Sequence, residues 1–448
     1  MLIQIAQFIL GLSILIVIHE FGHYLPAKWF NVRVSKFYLF FDYKFSLLKK
    51  KIGETEWGIG WIPLGGYVKI EGMVDESMDT EQLKDEPEDW EFRAKPAWQR
   101  LIILTGGVIM NFLTAYFIFV FLLMTYGKEY LPNENLTFGI KTNILSDQIG
   151  LQDGDKIIQI GNNKPQKYRD LSNEILLSVG ENILVNRNGN ELEIPITAES
   201  INQIFDSKEF TEGKLPIIER HVPVIISKIN KGSTAEKFGL AVGDSIVGIN
   251  GQESHFGIGL REFQNSIVTN SGNEISLQLY RDGAEKTLSF SIPKDSLLGV
   301  QLYGDAHYYD YITEEYSFGK ALVGGWQEVG GFLNNYIRQF KLIFNFETEA
   351  YKQVGGFAAI MKGYDGSSWN WRRFWEFTAL LSIMLGFLNI LPIPALDGGH
   401  VVFTLIEMIS GRRPPVKVLE IAQMIGFFLL LALLIFANGQ DIIRAVSG

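Results

Sequence analysis

Three side chains suited to metal chemistry stand together in HEFGH, residues 19–23. His19 and His23 are four apart, so on a helix they share a face and can reach one ion. Glu20 can hold a water on that ion and take its proton. This is the H-E-x-x-H pattern, in which two histidines bind zinc and the glutamate is the base of a hydrolysis. Zinc lowers the pKa of bound water to about 7, which makes hydroxide available at neutral pH. The plain alternative is a chance helix carrying ordinary interfacial histidines. It places His and Glu beside hydrocarbon without partners, which is costly.

A catalytic zinc has three protein ligands and one open position. The chain has no cysteine, so the third ligand must be His, Asp or Glu. Asp397 in NILPIPALDGGH (389–400) is the candidate, with His400 as a rival or a solvated neighbour. Pro392 and Pro394 remove backbone donors and interrupt a helix. Gly398 and Gly399 are expected to permit the sharp turn that presents Asp397.

The elements that must carry these residues are apolar. Residues 1–18 and 101–127 carry no charge, nor do Phe377–Leu396 and Ile421–Gln440. Runs of roughly 18 or more apolar residues can cross a ~30 Å hydrocarbon layer as helices, so about four spans are expected. A signal peptide over 1–18 would need a basic start and a small-residue cleavage site, and MLIQIAQ has no Lys or Arg. HEFGH closes the first run and Asp397 the third. Spans one and three run in the same direction, so His19, His23 and Asp397 emerge at comparable depth on one side. The net charge of −10 shows no basic face, which excludes nucleic acid as a partner.

Between the spans lie other modules. GIGWIPLGGYVKIEGM (58–73) reads as a hairpin or looped ribbon, followed by an acidic, solvated loop over 75–91. Between spans two and three, GLQDGDKIIQIGNN (150–163) repeats as GLAVGDSIVGINGQ (239–252) at a spacing of 89. The repeat resembles the circularly permuted PDZ domain, whose relatives bind extended peptide ends by strand addition; a pair of purely structural modules is the alternative. Ala321, Leu322, Trp326, Val329, Phe332, Leu333, Tyr336, Ile337 and Phe340 recur at helical spacing. That helix either lies on the membrane surface or packs on the soluble modules. Trp369, Trp371 and Trp375 suggest an interfacial belt before span three.

HExxH in the first span combined with NxxPxPxLDG in a later one resembles the intramembrane site-2 metalloproteases, in particular the bacterial regulator-of-sigma-E protease branch. The likeness covers almost the whole chain. It includes PLGGYVKIEG (63–72) and FRAKPAWQRLIILTGGVIMNF (92–112), with G-x-x-x-N at Gly107 and Asn111. It implies Zn2+ on His19, His23 and Asp397, with Glu20 as general base. It also implies that the 58–73 ribbon, with Gly65, Gly66 and Tyr67, re-enters the membrane and pairs with an unwound substrate helix, and that Asn389, Pro392 and Asn111 line the substrate path. The implied substrates are single-pass membrane proteins, such as an anti-sigma factor or remnant signal peptides, cut within the bilayer. A catalytically lapsed PDZ adaptor and a metal transporter are the rival classes. Intact HEFGH and LDG count against the adaptor. Transporters tend to show repeats among their spans, which this chain lacks.

The expected architecture is a polytopic α-helical membrane protein with a re-entrant β-ribbon and two inserted PDZ-like α+β domains. The segments are 1–27, first span; 28–99, loop with ribbon; 100–127, second span; 128–217 and 218–304, PDZ-like domains; 305–370, amphipathic helix and linker; 371–409, third span with LDG; and 410–448, loop and fourth span. Arg412, Arg413 and Lys417 put the last short loop in the cytoplasm by the positive-inside rule. The active site then faces the cytoplasm of a bacterial inner membrane, with lipid around the spans and the PDZ tandem outside.

Overall fold

The computed structural model describes residues 2–73, 86–253, 257–294 and 298–447. Most of the expected acidic loop, 75–85, lies outside the described residues. The chain forms two compact units. One comprises Met1–Gly127, Glu315–Lys341 and Lys352–Gly448; the other comprises Lys128–Glu314 and Leu342–Tyr351.

Four helices of the first unit are long and apolar enough to span a membrane. Helix α1 (Leu2–Trp29) runs 28 residues, about 42 Å at 1.5 Å per residue, and places His19 about 25 Å from its start. A sheet follows, made of β1 (Val34–Phe41), β2 (Leu48–Ile52), β3 (Thr55–Ile59) and β4 (Ile62–Ile70), in the order β2-β3-β1-β4. The ribbon is thus larger than expected. Only its last strand and a corner of β3 fall in 58–73. Both β1 and β2 lie outside that stretch; β1 reads VSKFYLFF and pairs parallel to β3 and antiparallel to β4. Its aromatics hide the two-residue alternation. Phe37 stacks on Trp57 at 4.5 Å and Tyr38 on Tyr67 at 5.4 Å.

Helix α2 (Ala97–Tyr126) starts after Pro96 and ends at Gly127. Helix α3 (Phe318–Ile343) is the amphipathic helix. It packs on spans two and three. Trp326 stacks on Tyr116, Phe332 on Phe119, and Tyr336 Oη donates to the Leu380 carbonyl at 3.2 Å. Part of its apolar face is covered by α2 and the third span, while Val323 and Ile337 stay exposed.

The third span is broken. Helix α4 (Trp371–Ile390) ends before Pro392, and a six-residue break leads into α5 (Asp397–Ser410). Gly398 and Gly399 therefore do not form the turn. They lie in the first turn of α5, and a Cβ on Gly398 would sit 2.1 Å from the Leu391 carbonyl oxygen. Their smallness lets α5 fold back on the end of α4. Helix α6 (Val416–Ser447) is the fourth span.

The second unit holds two α+β modules, each with its own core. The first has the meander Lys156–Ile160, Asn182–Arg187, Asn190–Pro195, and the pair Ile140–Lys141 with Glu219–Arg220. Ile217, Ile218 and Val222 are buried in that first core. The expected boundary at 217/218 therefore shifts to follow Val222, because this strand completes the first module rather than opening the second. The second module orders its strands as Ala284–Ser291, Glu274–Arg281, Ser245–Ile249, Val224–Ile229, Val300–Leu302. Ile312–Glu314 pairs with Lys128–Tyr130. Residues 305–314 thus close this unit and are not linker.

The repeat carries one device twice. Arg187 donates through Nε and Nη2 to both oxygens of Asp155, each at 2.8 Å, and to the Gly150 carbonyl. Arg281 does the same with Asp244, at 2.6 and 2.7 Å, and with the Gly239 carbonyl. The offset of 89 relates Gly150 to Gly239 and Asp155 to Asp244.

Candidate metal centre

His19 and His23 sit one turn apart on α1 with their rings edge to face, centroids 4.9 Å apart. Their Nε2 atoms are 3.3 Å from each other. The break in span three brings Asp397 to the same place, with Oδ2 3.3 Å from each Nε2. Three ligand atoms thus form a nearly equilateral triangle. With Zn–N and Zn–O bonds of about 2.0–2.1 Å, a tetrahedral zinc has ligand–ligand edges of about 3.3–3.4 Å. The triangle matches one face of that tetrahedron and leaves the fourth corner for water or substrate.

The donor set fits too. His23 Nδ1 donates to the Ile103 carbonyl at 2.8 Å, which fixes the ring proton there and leaves a lone pair on Nε2. Asp397 Oδ2 is buried with no hydrogen-bond donor. A carboxylate oxygen that no donor satisfies, facing two imidazole nitrogens, suits a cation. His400, the rival ligand, lines the neighbouring cavity but stands outside this triad.

Helix α2 holds the histidines in place, and its glycines make that possible. Gly106 meets Gly22 backbone to backbone: a Cβ on Gly106 would lie 1.9 Å from the Gly22 carbonyl oxygen. One on Gly107 would lie 2.3 Å from His23 Nε2 and 2.6 Å from His19 Cε1. One turn later, the Asn111 carboxamide lies 3.1 Å from His19 Nδ1. As placed, Asn111 Oδ1 is buried and lacks a partner. Turning the amide over, a choice set by the hydrogen-bond network, lets Oδ1 accept the Nδ1 proton. The G-x-x-x-N motif is thus a seat for two imidazoles. Asn111, expected to line the substrate path, is fully buried behind His19 and is not among the residues that line the cavity.

A cavity of about 660 Å³ opens beside the triad. Glu20, Gly66, Tyr67, Val68 and Asn389 line it. Glu20 sits beside the ribbon, with its Cγ 3.7 Å from where a Cβ on Gly66 would be. Asn389 Nδ2 is 3.3 Å from His19 Nε2. Gly65 and Pro392 are not part of the lining. Gly65 backs onto the Phe41 ring, and Pro392 belongs to the break that frees Asp397. Strand β4 pairs with β1 on one side, and no described strand pairs with its other side. Helix α6 contributes Gln423 and Phe427, which sequence reasoning missed. The one available signal was a lone carboxamide early in an otherwise apolar span.

Comparison with known proteins agrees with this chemistry. The model of peptidase family M50 matches residues 7–433. A regulator of sigma E protease from Haemophilus influenzae is 26% identical over 98% of this chain and 99% of its own length. A Rickettsia conorii protein named as a zinc metalloprotease is 28% identical, covering 98% and 99%. A Vibrio cholerae protein so named is 28% identical, covering 98% of each.

Proposed function

Since the chain belongs to peptidase family M50 and is a site-2-type zinc metalloendopeptidase, we propose that it cuts single-pass membrane proteins within their bilayer segment. In this reading His19, His23 and Asp397 hold the zinc. The bound metal supplies Lewis acidity, polarising the scissile carbonyl and acidifying water. Glu20 accepts the proton released as water adds to the carbonyl carbon. It returns that proton to the amine nitrogen as the C–N bond breaks. The carrying observation is the 3.3 Å triangle assembled from two different spans.

The ribbon serves the other half of the problem. A helical substrate satisfies its backbone internally, so its carbonyls are poorly open to attack. Pairing with the free edge of β4 would extend it and replace the lost hydrogen bonds. Gly66 and Tyr67 present that edge, and Asn389 faces the same space. The chain is a multi-pass inner-membrane protein. We assign the active site to the cytoplasmic side and the paired modules to the other, from the Arg412, Arg413 and Lys417 loop. The modules act as PDZ-like docking or filtering domains for an already trimmed substrate.

Zinc per polypeptide in detergent-purified protein tests the centre directly. Wild type should hold about one zinc under the three-ligand geometry, with less in Asp397→Ala and His23→Ala. A well-folded wild type that takes up no supplied zinc would move the reading to a lapsed adaptor. Glu20→Gln should keep its zinc and stop cleaving a synthetic single-span peptide, a Leu/Ala segment with a central Gly-Ser pair and flanking lysines. Full activity in that variant would remove Glu20 as the base.

A further inference from the structure

Helix α6 is apolar and largely exposed on its outer faces, as a lipid-facing span should be. Gln423 breaks that pattern. It is only 5% exposed, while its neighbours Met424 and Ile425 are 48% and 62% exposed. Its side chain lines the catalytic cavity together with Phe427, one turn on. Between them, Gly426 presses α6 against the break in span three: a Cβ there would lie 1.8 Å from the Pro394 carbonyl oxygen. That contact fixes the face of α6 that looks into the cavity. Among the described residues the Gln423 carboxamide has no hydrogen-bond partner, and it faces the cavity. A polar group at membrane depth without a partner is costly and marks a use more often than an accident.

The chemistry of an extended substrate supplies the use. A strand presents N–H and C=O groups along both of its edges. Pairing with β4 satisfies one edge only. In a site with little water the other edge must also find partners, because each unsatisfied backbone group costs several kcal/mol in hydrocarbon. A carboxamide carries both a donor and an acceptor in one plane, which is the pattern of a peptide unit. Asn389 is already drawn toward His19. Gln423 approaches from another wall of the cavity and is uncommitted.

We propose that Gln423 is a substrate-binding residue that hydrogen-bonds one peptide unit of the unwound substrate on the edge that β4 leaves uncovered. The inference rests on the reading of this cavity as the site of peptide hydrolysis. It assigns span four a direct part in holding the substrate straight, beyond closing the cavity wall.

The test uses the full-length protein and the same synthetic single-span peptide. Gln423→Met keeps side-chain length and removes the carboxamide. It should lower kcat/KM about tenfold, the scale of one hydrogen bond made in a dry site. Zinc content and melting temperature should stay at wild-type values, and Gln423→Asn should recover part of the loss. Activity of Gln423→Met within twofold of wild type overturns the assignment. So does a loss of activity that tracks a fall in zinc or melting temperature, which would mark a packing role.

A second measurement does not depend on turnover. The chain has no cysteine, so Gln423→Cys combined with Glu20→Gln carries a single thiol. With diamide added as the two-electron oxidant, peptides with one cysteine walked along the span should form a disulfide with it only within about three residues of the cut bond, the reach of one extended strand segment. Cross-linking at the peptide ends alone, or equally everywhere, overturns the proposal. The two readings fail separately. Wild type that leaves the peptide intact fails the protease reading, whereas wild type that cuts it while Gln423→Met cuts it equally well fails only the role of Gln423.

Discussion

Asp155 and Asp244 in the paired modules, and Asp397 beside the histidines, are carboxylates taken out of bulk water, and they are treated in opposite ways. Each module aspartate is fully buried and closed. An arginine fork grips both oxygens, and a backbone N–H, from Gln152 or Ala241, donates to Oδ2. Asp397 points its buried Oδ2 at two imidazole nitrogens and receives no donor. A satisfied buried charge is architecture. A buried carboxylate oxygen surrounded by further lone pairs is a binding site for a cation, and the difference lies in the hydrogen-bond inventory rather than in burial.

The strongest way to break that comparison is to remove each carboxylate. Asp397→Ala should drop zinc well below one per chain and reduce cleavage to background, because two ligands cannot hold a catalytic zinc against solvent. Its folding should be little affected. Zinc retained at the wild-type level in this variant would sink the distinction. Asp244→Ala should do the reverse. It strands a partly buried arginine, so the second module should lose about 3 kcal/mol, the low end for breaking a buried pair given that Arg281 is partly exposed. Zinc content should not change. Denaturant or thermal unfolding of the two variants, read beside zinc analysis, separates these outcomes.

The sequence carries the chemistry of this centre more clearly than its architecture. HEFGH, the absence of cysteine and the parallel direction of spans one and three suffice to bring His19, His23 and Asp397 together, because helix period and span parity are local and countable. The ribbon was half legible: 58–73 looks like a strand, but β1 is a run of aromatics with no two-residue alternation. The break in span three was misread at its glycines. A Gly-Gly pair looks the same in a string whether it permits a turn or a close helix contact, and only the carbonyls of Ile390 and Leu391 decide it. Asn111 and Gln423 show the same limit. A carboxamide in a span signals a polar contact, but not whether that contact is a ligand's ring or an open cavity. In the modules the Gly-Asp turns are visible as a repeat, while the arginines that complete them are not. Arg187 and Arg281 follow their aspartates after loops of different length, so no fixed offset reveals them.

A smaller effect sharpens the picture of the metal centre from behind. Removing the carboxamide that faces His19 in Asn111→Leu should weaken zinc binding about 10- to 100-fold, the usual cost of losing a group that orients a ligating histidine. Competition with a chelator measures it without any substrate. Asn111→Asp, which keeps an acceptor toward Nδ1, should lose much less. If Asn111→Leu binds zinc as tightly as wild type while only KM rises, Asn111 acts on substrate and the seat assigned to it on α2 is wrong.

The smallest effect comes from a carboxylate between the two extremes. Asp153 stands two residues before Asp155 and is half closed. Burial alone would raise its pKa, but Lys141 Nζ at 2.6 Å and the N–H and hydroxyl of Thr142 outweigh that and hold it below the usual carboxylate range. A group whose folded pKa is depressed adds stability that is fully present above its unfolded value, about 3.9, and is lost as pH falls through the folded value. Asp147 lies nearby with its pKa raised, first by burial and then by the charge of Asp153, so it works in the opposite sense. Asp153→Asn should therefore lower the stability of the first module at neutral pH and flatten its loss below about pH 4. Thermal unfolding of the full-length protein at pH 7 and pH 3.5 reads both. An unchanged slope between those values would mean that the Lys141 contact is as weak as an exposed surface pair, and that Asp153 belongs with solvated carboxylates rather than with the closed pair it adjoins.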